Sequence, residues 1–114
     1  MILGGHYFMD INQKAKEFAY HIKNTNEFKK MNKSKIEIEK NKAIKRQLDE
    51  YISKKKNIYS RHKIEDASKK ISQLNREYDD FFSLPIVSNY MQDTRNFNSL
   101  MEKLYKKIEN ELLK

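Results

Sequence analysis

Apolar residues recur along this chain at alternating spacings of three and four, the signature of one face of an α-helix. The clearest run is Val87, Tyr90, Thr94, Phe97, Met101, Leu104 and Ile108. It predicts a helix of roughly 28 residues, about 40 Å long. Ser83, Leu84, Pro85 and Val87 form its candidate start motif. Proline suits a first helical turn because the N–H it lacks would find no intrahelical acceptor there. Upstream, Ile64, Ala67, Ile71, Leu74, Tyr78 and Phe81 repeat the spacing. Two helices of similar length joined by a short turn fold back on each other, so the expected fold is all-α, centred on a long antiparallel helical hairpin.

Shorter helices are expected before the hairpin. Ile11, Ala15, Phe18 and Ile22 form one face of a four-turn helix, with Asp10 as its N-cap. Asn24-Thr25-Asn26 breaks the pattern, and Thr25 can cap a second helix with Glu27 in its first turn. Phe28, Met31 and Lys35 begin the next face, continued by Ile36 or Ile38, and a turn or kink follows near Lys40-Asn41-Lys42. From Ala43 the stripe resumes as Ile44, Leu48, Tyr51 or Ile52, then Ile58 or Tyr59. A bend or break is expected around Ser60-Arg61-His62-Lys63, although no glycine or proline enforces one, and a continuous helix from Ala43 to Phe82 stays open. Glu50–Lys54, Glu65–Lys69 and Asp66–Lys70 have ion-pair spacing, which adds about 0.2–0.5 kcal/mol per exposed pair.

Residues 1–8 lack this periodicity and hold both glycines. They are expected to be a non-native or disordered leader, with the single helical domain spanning residues 9–114. Leu3-Gly4-Gly5 can be encoded by a ribosome-binding sequence, with Met9 at a suitable distance as the true start. The alternative is a flexible native tail. The mass of the endogenous protein distinguishes the two.

Composition supports long helices: charged residues make up 35%, with only two glycines and one proline to interrupt them. No apolar run approaches the roughly 18 residues of a membrane span. The N-terminal apolar stretch is short, broken by Gly4-Gly5 and without a basic start, unlike a secretory signal. There is no cysteine, which rules out thiol chemistry and fits a cytoplasmic protein. Tyr51, Tyr59, Tyr78, Phe82, Tyr90 and Tyr105 cannot all face one intramolecular seam. A dimer or higher helical-bundle oligomer is therefore expected, with Tyr90, Phe97, Met101, Leu104, Tyr105 and Ile108 as the candidate core and oligomer seam.

Catalytic constellations are not evident. His6, His21 and His62 lie far apart, with no second histidine at helical spacing and no H-E-x-x-H pattern. Asp79-Asp80 and Glu65-Asp66 are adjacent pairs, which on a helix point in different directions. Neither enzymatic activity nor a metal or cofactor is expected. The net charge of +8 is concentrated in residues 29–63, with 13 Lys/Arg against 4 Asp/Glu. Lys42, Lys45 and Arg46, then Lys54, Lys55 and Lys56, are candidate polyanion contacts, with Tyr51 and Tyr59 as candidate stacking residues for RNA. The alternative is solvated lysines beside core or interface tyrosines.

In order along the chain, Ala15-Lys16-Glu17-Phe18, Asn26-Glu27-Phe28-Lys29-Lys30, Leu84-Pro85-Ile86-Val87-Ser88-Asn89-Tyr90-Met91 and Phe97-Asn98-Ser99-Leu100-Met101 resemble the YlbF/YmcA family of small helical regulators. The resemblance covers nearly everything after Asp10. It implies an all-helical, oligomeric, non-catalytic adaptor. Family members act with YlbF/YmcA-like and YaaT-like partners in a complex that assists RNase Y-dependent mRNA processing, and so influence competence, sporulation and biofilm formation. The chain departs from the family at two points. Leu84 stands where relatives often have a capping Asn, so any cap must come from Ser83. The family's complex is associated with cysteine-held iron–sulfur clusters, and this chain has no thiolate to contribute.

Overall fold

The computed structural model describes residues 2–114, with side chains from Asp10 onward. Six helices follow one another: α1 (Ile2–Lys23), α2 (Asn26–Lys40), α3 (Lys42–Arg61), α4 (Ile64–Glu77), α5 (Asp79–Ser83) and α6 (Pro85–Leu112). No strand occurs among the described residues, and the protein is all-α. Asp10 lies inside α1 rather than capping it. The expectation for residues 1–8 falls on residues whose side chains lie outside this description.

Most breaks have a local cause. Thr25 accepts a hydrogen bond at Oγ1 from the Phe28 N–H (3.2 Å), and its own hydroxyl donates to the Ile22 carbonyl (2.6 Å), closing α1 and opening α2 with one side chain. Asn41 serves two helices as well. Its N–H donates to the Ile38 carbonyl at the end of α2, while its Oδ1 accepts from the Ile44 N–H at the start of α3. His62 and Lys63 are extended and separate α3 from α4, which excludes the continuous helix. Pro85 occupies the first turn of α6, but no side chain caps that helix. Ser83 Oγ instead donates back to the Asp79 carbonyl at 2.9 Å. At Tyr78 the backbone leaves helical geometry and separates α4 from α5 without glycine or proline.

The pairing of helices differs from the expected hairpin. The principal partner of α6 is α2, and α4 packs against α3. The pairing of α2 with α6 is antiparallel: Phe28 meets Phe97, Ser34 meets Asp93, and Ile38 shares a cluster with Val87. Ala67, Leu74, Phe81 and Val87 of the two expected stripes are buried, but the main partner of α6 is α2 rather than α4, because any two stripes of this period can mesh. The core forms where the end of α2, the first half of α3, α5 and the start of α6 converge. Ile38, Leu48, Phe81 and Val87 are buried there, with Ile44, Tyr78, Phe82, Ile86, Tyr90 and Met91 packed around them. Ambiguous positions are resolved too: Ile38 is buried and Ile36 exposed, Tyr51 buried and Ile52 exposed, and Ile64 points to solvent.

The molecule is extended. Its radius of gyration is 19.2 Å, where a compact chain of this length has about 13 Å. The accessible surface is 9666 Å², against about 6,600 Å² for a compact monomer of this mass. Roughly 3,000 Å² more surface faces solvent than a self-contained fold of this size leaves exposed.

Candidate functional site

The six seam residues divide into an inner and an outer group. Tyr90 packs against the main core. Phe97 meets Phe28 of α2 edge to face, with ring centroids 5.7 Å apart, a favourable aromatic geometry. Met101 and Leu104 are half-buried, whereas Tyr105 and Ile108 are exposed. The reason is length. α2 begins at Asn26, alongside Asn96, Ser99, Leu100 and Lys103 of α6, so the last turns of α6 run on beyond it. Leu112 and Leu113 are almost fully exposed at that end.

α1 shows the same incompleteness. Its apolar face was predicted as Ile11, Ala15, Phe18 and Ile22, and only Ile22, next to the α1–α2 turn, is half-buried. Ile11 and Phe18 face solvent, and the main contact of α1 is with α2. Two amphipathic segments thus leave the body of the molecule with uncovered apolar faces.

The basic candidates behave differently. Lys42, Lys45, Arg46 and Lys54 line one shallow face of α3, but Asp49, Glu50 and Ser53 lie among them. Lys45 Nζ lies 3.4 Å from the Asp49 carboxylate. Lys54 Nζ stands 5.2 Å from the centroid of the Tyr78 ring, and Lys55 Nζ 6.0 Å from that of Tyr51. The predicted ion pair of Glu50 with Lys54 is not among the salt bridges of the described residues, nor are those of Glu65 with Lys69 and Asp66 with Lys70. The adjacent Tyr78 side chain raises the pKa of Lys54 above the usual lysine value. Lys56 is exposed.

Of the two candidate stacking residues, Tyr51 is unsuitable for RNA. It is buried, packs edge to face on Phe82 at 4.7 Å, and donates its hydroxyl to Asn75 Oδ1 of α4. Burial, and to a lesser degree the neighbouring Tyr59, raises its pKa. Tyr59 is exposed. In the helix-start motif, Val87 is fully buried in the core while Ser83, Leu84 and Pro85 are exposed at the surface. The motif therefore anchors α6.

Two cross-helix links escaped the sequence reading. Ser34 donates to Asp93 across the α2–α6 seam, and Asn75 receives the Tyr51 hydroxyl. Each joins residues far apart in sequence, and no periodicity marks such polar partners.

Fold and surface together define an all-α protein with exposed apolar residues on α1 and on the end of α6. A family model described as "Control of competence regulator ComK, YlbF/YmcA" matches residues 11–112, and the chain belongs to the YlbF/YmcA family. Searches of curated proteins and of solved structures each gave no significant match. No helix among the described residues is long and apolar enough to cross a membrane.

Proposed function

We propose that this protein is a non-catalytic, cytoplasmic regulatory adaptor that works through its uncovered helix faces. Its partners are further copies of itself, other YlbF/YmcA-like proteins, YaaT-like proteins and RNase Y, in a complex that modulates mRNA processing and, through it, competence, sporulation and biofilm formation. Family membership supports the regulatory role. The observation that carries the adaptor reading is the apolar surface left open on α1 and the end of α6. Exposed apolar side chains gathered on one helix face favour protein association. The excess of roughly 3,000 Å² is of the order that stable assemblies bury.

The test is affinity capture of the tagged chain from its host, with and without nuclease. Recovery of YlbF-like and YaaT-like proteins with the ribonuclease, surviving nuclease, is the expected result. Recovery dominated by RNA and ribosomal proteins, and lost on nuclease treatment, contradicts it and favours direct nucleic-acid binding. One observation speaks for that second reading: Lys42, Lys45, Arg46 and Lys54 share one face of α3. The interleaved Asp49 and Glu50 speak against it. Reversing the charges of Lys42, Lys45 and Arg46 together abolishes RNA binding on the second reading and leaves function intact on the first.

A further inference from the structure

Beside the stripe that meets α2, a second face of α6 carries Ser88, Met91 and Arg95. They are spaced three and four, so they stand on one side of the helix. They form one wall of an open cleft of about 240 Å³, whose other walls are Tyr51 of α3, Asn75 of α4 and Phe82 of α5. The buried Tyr51 and the half-buried Phe82 and Met91 make its floor, while Asn75, Ser88 and Arg95 are exposed at its rim. The rings of Tyr51 and Phe82 meet edge to face at 4.7 Å. Such a floor suits a planar apolar group, and the flexible Met91 thioether adapts to its outline.

The rim suits an anion. Among the described residues no carboxylate lines the cleft, and Arg95 brings its only charge. Arg95 Nη2 donates to Gln92 Oε1 at 3.0 Å, which orients the guanidinium. Arg95 joins none of the salt bridges among the described residues. The Tyr51 hydroxyl donates to Asn75 Oδ1, so the amide oxygen is occupied and Nδ2 is left to donate elsewhere. Ser68, Ser72 and Ser83 each donate back to the carbonyl four residues earlier. Ser88 makes no such bond among the described residues, and its hydroxyl is a third donor at the rim.

We propose that this cleft binds a small aromatic carboxylic acid, with the carboxylate on Arg95, Ser88 and the Asn75 amide and the ring against Phe82, Met91 and Tyr51. Charge selects an acid over an amine, because a guanidinium pairs with a carboxylate through two parallel hydrogen bonds. Size selects a single ring with a short acid arm: the cleft, at about 240 Å³, is smaller than the roughly 300–1,000 Å³ of sites for drug-sized ligands. The site is separate from the uncovered faces of α1 and the end of α6, so it does not depend on the adaptor reading. Its occupation ties α4 to α6, whose principal partners are otherwise α3 and α2.

The test is a titration of the nitrogen-15-labelled full chain followed by nuclear magnetic resonance. Phenylacetate is the probe, phenylacetamide the same shape without the charge, and acetate the same charge without the ring. With phenylacetate, saturable shifts are expected at the Asn75 side-chain amide and at the backbone amides of Ser88, Met91 and Arg95. Phenylacetamide and acetate should bind about tenfold more weakly or worse, the value of one lost charge-assisted hydrogen bond. Arg95 and Ser88 are exposed, so Arg95→Gln and Ser88→Ala keep the parental spectrum away from the cleft. Arg95→Gln should weaken phenylacetate about tenfold, and Ser88→Ala by a smaller factor. Phenylacetate that produces no saturable shift at these residues overturns the proposal, as do three probes of equal affinity. Binding that Arg95→Gln leaves unchanged overturns the placement of the carboxylate and, with it, the site as an acid site.

Discussion

The inner and outer ends of this molecule carry the same three–four pattern of apolar residues and meet opposite fates. At the inner end Val87 is 0% exposed and Phe81 8%, enclosed by α2, α3 and α5. At the outer end, on the same helix as Val87, Ile108 is 43% exposed and Leu112 79%. The local sequence differs little in kind. What differs is the presence of a covering helix, which ends at Asn26 because Thr25 caps α2 there. Helical periodicity therefore reports that a face requires cover, and only the three-dimensional arrangement shows whether its own chain provides it.

The comparison is sharpened most by emptying the inner end. Phe81→Ala is expected to destabilise the fold by about 3–5 kcal/mol, measured as a lowered midpoint of urea denaturation followed by circular dichroism. A cost below about 1 kcal/mol would mean that the inner core is not the structural centre. Phe97, at the boundary between the two ends, is half-buried against Phe28. Its replacement by Ala should cost about 2 kcal/mol, from partial burial and loss of the aromatic pair.

Tyr51→Phe keeps the ring and removes one hydrogen bond, leaving Asn75 Oδ1 without its partner, at a cost of about 1 kcal/mol. The same variant has a signature in alkali. Burial raises the Tyr51 pKa above the ordinary value of 10.0, so the folded state resists ionisation of the phenol. Its contribution is fully present below the unfolded pKa and is lost as pH rises through the raised folded value. The parent should lose stability relative to Tyr51→Phe on passing into that range, and parallel pH profiles would contradict the assignment. The smallest effect is expected at the outer end. Ile108→Ser should change the stability of the isolated chain by less than about 0.5 kcal/mol, read by denaturation at a dilution that disfavours association. A large loss would show that the chain covers this face itself.

The helix boundaries were largely legible because side chains that compete for backbone groups mark them: Thr25 and Asn41 cap through their own oxygens, and Pro85 opens α6. The break at Tyr78 was not, since neither glycine nor proline announces it. Nor was the pairing of helices. The stripes on α2 and α4 present equivalent ridges, so sequence proximity favoured α4 as the partner of α6, while the fold uses α2. In the candidate site, the outer residues Tyr105 and Ile108 were identified with the same logic as Tyr90 and Phe97, and only packing separates them. The lysine clusters were visible as charge, but Asp49 beside Lys45 and the tyrosine rings beneath Lys54 and Lys55 depend on side-chain placement.

The central claim is that the inner end is completed within the chain and the outer end by another. Backbone hydrogen exchange, measured by mass spectrometry over a range of protein concentrations, tests it most directly. Peptides from residues 10–23 and 104–112 should gain protection as concentration rises, while those from residues 28–48 and 81–97 keep the same protection throughout. Protection independent of concentration in both regions would contradict the account.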